Sequence, residues 1–373
     1  MKKYTHFGLV LTLILTIVLA GCGGGGGNPP SNDPPLSDPP SSDPPKHGNN
    51  YYLYVTNAPD KISAFSINPD NGGLTNIYGS PFSAGTSPSS VAADPSGEYL
   101  YVANFLSSNI SIYSINAVTG VLNKITDSST NNNPQKITID PTGNFVAVGC
   151  NYYLNIFSRD KSSGTLADNP TSITFGSNQE LRAVSFDRTG QFLYVAVSTG
   201  SIYVYAKNAE SNTFTQFGDS VSTCSGPSSL AIDSNGKFLY VATSSSTAIS
   251  IHPINGNGSL AAGTMRNILA QSSRLLIQGN FLYITKVTGI AAYSIMADGS
   301  ISGIGVDIPC PDGIQPNSLA VDATGKFLYA TGWYSNYIWG FAITADGSLL
   351  KITDNPIDSG AEISSIVTVK TTY

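Results

Sequence analysis

Histidine is almost missing from this sequence: His6, His47 and His252 are the three in 373 residues. None is placed to act as a catalytic base, and without histidines close together no metal centre is expected. Charge is scarce as well. Only 11% of residues are charged, 18 basic against 24 acidic, for a net charge of −6. An acidic chain of this kind does not bind nucleic acid, and it has no electrostatic grip on anionic lipid. Exposed loops must therefore be built from Ser, Thr, Asn and Gly. Long apolar runs are absent apart from Phe7 to Ala20, which is shorter than the roughly 20 residues a membrane-crossing helix needs. Helical periodicity is absent too.

What is abundant is one phrase. DPSGEYLYVAN (94–104) returns as DPTGNFVAVG (140–149), DRTGQFLYVA (187–196), DSNGKFLYVA (233–242), QGNFLYIT (278–285) and DATGKFLYAT (322–331), while YYLYVTN (51–57) opens the series without its turn. Asp, Pro and Gly suit the turn, and the branched and aromatic residues after it suit a buried strand. Asp94, Asp140, Asp187, Asp233 and Asp322 are read as caps on the turn amides rather than as catalytic carboxylates. The strand centres Leu53, Leu100, Val146, Leu193, Leu239, Leu282 and Leu328 are separated by 47, 46, 47, 46, 43 and 46 residues.

A period near 46 made of strands and turns predicts an all-β fold, a seven-bladed β-propeller with one four-stranded blade per repeat. In the second repeat the strands are expected at 89–93, 99–104, 110–115 and 121–125, inner to outer. The first copy lacks an inner strand, and ISSIVTV (363–369) resembles inner strands elsewhere with no blade to follow it. Ile363 to Val369 is therefore expected to join residues 51–78, shutting the ring and leaving a monomeric propeller without a lone sheet edge.

Three segments result: 1–21, 22–50 and 51–373. The first reads as a signal peptide, with Lys2 and Lys3 before the apolar run. Leu19-Ala20-Gly21-Cys22 resembles a bacterial lipobox, which implies cleavage before Cys22 and a lipid anchor on it; Gly23 after it implies the outer membrane. Removing residues 1–21 takes away two lysines and no acid, so the balance becomes −8. Residues 23–50 form a tether of glycines and then proline pairs, a swivel followed by extended polyproline. Of the remaining cysteines, Cys150, Cys224 and Cys310 are expected at one mouth of the ring, as free thiols or with a Cys224–Cys310 disulfide.

The YVTN of residues 54–57 and the larger pattern PSSVAADPSGEYLYVAN, followed by SIYSI and a Gly turn, resemble the seven-bladed β-propeller lactonase family, relatives of 6-phosphogluconolactonase and carboxymuconate cyclase, over essentially all of 51–373. The resemblance implies a lactonase site of His, Arg and Glu at the loop mouth. At the matching places this chain has Pro134-Gln135, Leu181-Arg182-Ala183, Val197-Ser198-Thr199, Lys286-Val287-Thr288 and Pro316-Asn317, so only Arg182 matches. No cofactor is implied.

What the mouth does offer is rings. Trp333 and Tyr334 are expected in a loop there, with Tyr152 and Tyr153 on the same face; they suit sugar or protein contacts, or else fill gaps between blades. The reading favoured by the missing base is a lipid-anchored, non-catalytic propeller that presents its loop face to a protein or glycan at the cell envelope. The alternative is a divergent lactonase or cyclase acting on a lactone or sugar acid, with Arg182 holding a carboxylate.

Overall fold

The structure, a computed structural model, describes residues 49–309, 314–352 and 356–373. Up to residue 48, the segments expected to be signal peptide and tether, with Cys22, lie outside the described residues, and so does Cys310; Asn49 and Asn50, expected to end the tether, instead open the strand Asn49–Asn57 because they pair with Thr372 and Thr371. Those described form strands and turns only, arranged as seven antiparallel sheets. Blade 1 takes its inner strand from Ile363–Thr372, and blades 2 to 7 begin at the inner strands Pro88–Ala93, Pro134–Ile139, Leu181–Phe186, Pro227–Ile232, Ser272–Gln278 and Pro316–Val321. Each inner strand packs beside the next, and Pro316–Val321 packs beside Ile363–Thr372, so the chain is a closed seven-bladed β-propeller.

The closing strand is longer than expected. It pairs with Asn49–Asn57 from Asn49↔Thr372 to Asn57↔Ile363, and Thr371 donates its hydroxyl to the Ala117 carbonyl of blade 2 at 2.7 Å. The outer strand of blade 2 also runs further, Leu122–Ser129, and Ser111 on the neighbouring strand donates to Asp127 at 2.7 Å, which ties its end to the sheet.

The second strands explain the repeated phrase. Leu100, Tyr101, Val102 and Ala103 are wholly buried, since blades pack face to face and both sides of the strand meet apolar neighbours. At the turns, Asp94 accepts from the amides of Ser96 at 3.2 Å and Tyr99 at 2.7 Å, and Asp140, Asp187, Asp233 and Asp322 repeat the cap.

One irregularity positions the site. Every inner strand slips register just after its first residue, a β-bulge whose extra residue has no partner across the ladder and is re-aimed. Those residues are Ser364, Ser89, Gln135, Arg182, Ser228, Ser273 and Asn317. In blade 6 the pairing jumps from Ser272 to Leu275, so Arg274 is freed along with Ser273.

Candidate functional site

All seven bulge residues line one cavity of about 670 Å³ at the mouth of the ring. Four of them also stitch the ring together. Ser89 donates to the Pro134 carbonyl at 2.7 Å, Ser228 to Ser272 and Ser273 to Pro316 at 3.1 Å, and Ser364 to Pro88. The floor is thereby tied blade to blade, which makes a rigid platform for whatever it holds.

Four basic side chains line the same cavity: Lys136, Arg274, Lys286 and the bulge residue Arg182. Lys136 and Arg274 share the third position of their inner strands, where the other blades carry Ser or Ala. Two of the four are paired with carboxylates. Arg182 meets Glu180 at 2.8 Å, and the buried Lys286 ammonium lies 3.2 and 3.1 Å from the two oxygens of Asp307 and 5.4 Å from the centre of the Tyr293 ring. Glu180 also accepts from Gln135 Nε2 at 3.3 Å, and that amide donates to Asn151 at 2.8 Å.

The other two cations have no counter-charge among the described residues. Arg274 donates to the Ser228 carbonyl at 3.2 Å. The Lys136 side chain makes no hydrogen bond or ion pair among the described residues; burial, and then Arg274 and Arg182, hold its ammonium well below the usual lysine range. Burial also pulls the Arg274 guanidinium down. An uncompensated positive recess of this kind is organised for an anion.

Of the side chains singled out by sequence, Arg182 and Trp333 line the cavity, as do Gln135, Lys286, Val287, Pro316 and Asn317 from the positions matched by resemblance. Trp333 is half exposed, and its backbone amide is anchored on the Gln315 carbonyl at 2.9 Å. Tyr334 stands beside Trp333, ring centres 6.3 Å apart, but points outward and is 86% exposed. Tyr152 is at an exposed hairpin tip, and Tyr153 packs on the core between blades 2 and 3; neither lines the cavity.

Lys136 and Arg274 were missed. The signal that could have found them is a column: aligned on the inner strands, the third position reads Ser90, Lys136, Ala183, Ser229, Arg274, Ser318 and Ser365, and two cations interrupt small residues.

His252 lies inside the strand Ala248–Pro253 and is buried away from the cavity. Cys150 and Cys224 are buried free thiols. Among the described residues no group of His, Cys, Asp and Glu could hold a metal ion.

Comparison with known proteins agrees with this geometry. The family model described as "Lactonase, 7-bladed beta-propeller" matches residues 46–182 and 180–274. A 6-phosphogluconolactonase from Serratia proteamaculans is 24% identical over 344 residues, 84% of this chain and 91% of its own length. Among solved structures, a Bacteroides uniformis protein put forward as a 6-phosphogluconolactonase superposes with a TM-score of 0.76 at 20% identity, covering 86% of this chain and 99% of that one. The periplasmic gluconolactonase of Pseudomonas aeruginosa superposes with a TM-score of 0.69 at 17% identity over 86% and 99%. The two structures bear on the fold alone.

The expectation of a non-catalytic binding propeller is corrected by these matches, which favour the lactonase alternative. That expectation rested on the missing imidazole; it overlooked the cations that the bulges turn into the cavity.

Proposed function

We infer, since the chain belongs to the lactonase family of seven-bladed β-propellers, that it hydrolyses a sugar-acid lactone to the open hydroxy acid, with 6-phosphogluconolactone the first substrate to try. One observation carries the reading: the guanidiniums of Arg182 and Arg274 and the amine of Lys136, from three different blades, line a single cavity of about 670 Å³. That size falls within the range of roughly 300–1,000 Å³ typical of small-molecule sites. Cations gathered in a recess attract phosphate or carboxylate, and they steady the oxyanion that forms when water adds to a lactone carbonyl. The Gln135 amide and the seryl hydroxyls of the bulge ring offer hydrogen bonds to sugar hydroxyls.

The test is proton release from 6-phosphogluconolactone by the purified protein, measured above spontaneous hydrolysis. Turnover is expected, with Arg274→Ala lowering kcat/KM by about 100-fold. Equal rates with and without protein would remove the reading.

The address is part of the proposal. The lipobox resemblance at Cys22 supports a lipid-anchored enzyme of the cell envelope, and incorporation of labelled palmitate into the protein but not into Cys22→Ser tests it.

A further inference from the structure

The cavity holds an amine whose neighbours account for everything except itself. Arg182 is paired with Glu180, Lys286 with Asp307, and Arg274 is bonded to a carbonyl. Lys136 lines the same cavity, next in sequence to the bulge residue Gln135, and has no hydrogen bond or ion pair among the described residues. Burial first, and then the guanidiniums of Arg274 and Arg182, oppose a proton on its Nζ. The carboxylate at this rim, Glu180, has Oε2 on Arg182 and Oε1 on Gln135. Glu180 is thus engaged where Lys136 is free.

Resting on the lactonase reading above, we propose that Lys136 is the general base of the reaction, the free amine in a cavity that contains no imidazole. Its lone pair takes a proton from water as the water oxygen bonds to the lactone carbonyl carbon. Arg182 and Arg274 steady the oxyanion. When the tetrahedral adduct collapses, the bond from the carbonyl carbon to the ring oxygen breaks, and the Lys136 ammonium returns its proton to that oxygen. The products are an alcohol and a carboxylic acid, and the acid loses its proton to solvent. No oxidant, metal or cofactor enters the balance. Burial and the positive charges of Arg274 and Arg182 disfavour the ammonium form, which suits a group that must give up a proton and take one back.

The decisive measurement is the pH profile of kcat/KM for the purified protein and for Lys136→Met, Lys136→Ala, Lys136→Arg and Glu180→Gln. Lys136→Met is expected to lower kcat by about 100-fold or more and to abolish the acidic limb. Lys136→Arg is expected to be equally poor, because a guanidinium stays protonated. Added ethylamine is expected to restore part of the Lys136→Ala rate, which shows that this variant is folded and lacks only the amine. Glu180→Gln is expected to keep the acidic limb.

The proposal is overturned if Lys136→Met keeps kcat within about threefold, if the change is confined to KM, or if the acidic limb disappears with Glu180→Gln instead. In each of these cases the wild-type protein still turns over lactone, so the lactonase reading stands. A wild-type protein without turnover overturns both.

Discussion

Tyr329 donates its hydroxyl to the carbonyl of Gly72 at 2.8 Å, joining the second strand of blade 7 to the outer turn of blade 1 across 257 residues of chain. It is one of a series. Tyr54, Tyr101, Tyr194, Tyr240 and Tyr283 reach Gly120, Gly164, Gly258, Gly299 and Gly347, each one blade onward, at 2.6–3.0 Å. The exception is instructive. Blade 3 has Ala147 in place of the tyrosine, and the turn it would reach carries Asn212 in place of glycine. Donor and glycine are lost together.

Removing the Tyr329 hydroxyl leaves a buried carbonyl without its partner while keeping the ring. Tyr329→Phe is expected to cost about 1–2 kcal/mol, read as a lower urea midpoint with an unchanged slope. Burial first, and then Asp322, push the Tyr329 hydroxyl up, so it stays a donor throughout the accessible pH range. A loss that grows between pH 6 and 9 would contradict this assignment.

The glycine side of the pair has a stricter requirement. Gly120 has φ +70°, and a Cβ there would sit 2.6 Å from the Tyr52 ring and from the Ile77 side chain, both buried. Gly218 has φ +73° and nothing within 4 Å of its Cβ position, so it isolates the backbone cost. Gly218→Ala is expected to lose about 1 kcal/mol, and Gly120→Ala about 2–4 kcal/mol, because overpacking adds to the left-handed strain. Urea unfolding of the two variants measures the difference; equal losses would show that the Tyr52 contact yields freely.

The wheel could be read from sequence because its cause is local and repeated: every blade needs the same turn, the same buried strand and the same aromatic at the same step. Ring closure followed from an inner strand left without a blade. The cavity could not be read in the same way. Its lining depends on bulges, and a bulge is a shift of pairing between two strands that composition does not reveal. Arg182 was found only because the resemblance pointed to its position. Lys136 and Arg274 stand out only in the column of inner-strand third positions, where every other blade carries Ser or Ala. Tyr334, Tyr152 and Tyr153 show the opposite limit: their loops were placed at the right end, but which way a ring turns is decided by packing.

Another charge hidden from sequence is Arg159. Its side chain is buried between blades 2 and 3, with Nη2 on Asp94 at 3.0 Å, Nε on the Tyr101 hydroxyl at 2.6 Å and Nη1 on the Gly143 carbonyl at 2.9 Å. Asp94 thus does more than cap its turn. Arg159→Met strands a buried carboxylate and is expected to cost about 3–5 kcal/mol. Adding Asp94→Asn removes the stranded charge and is expected to recover part of the loss. A double variant whose loss equals the sum of the two single losses would mean that the two side chains act separately.

Stability should also depend on His252. The ring is buried with Nε2 3.0 Å from the Ser250 hydroxyl and Nδ1 3.3 Å from the Ala261 carbonyl, and a Cβ on Gly263 would lie 2.5 Å from it, so the Gly263 backbone packs closely on the ring. Burial pulls its pKa below the usual histidine value, with the bond to Ala261 opposing. The unfolded chain therefore takes up a proton at a higher pH than the folded one. Above the unfolded value of roughly 6.5 the contribution is fully present; it is lost as the pH falls from there through the folded pKa, with a slope of at most about 1.4 kcal/mol per pH unit. The urea midpoint is expected to be lower at pH 5.0 than at pH 7.5. His252→Gln keeps a donor for Ala261 and an acceptor for Ser250 but cannot titrate, so its midpoint is expected to change less over the same interval. If wild type and variant lose the same amount between the two pH values, the pH dependence comes from groups other than this histidine.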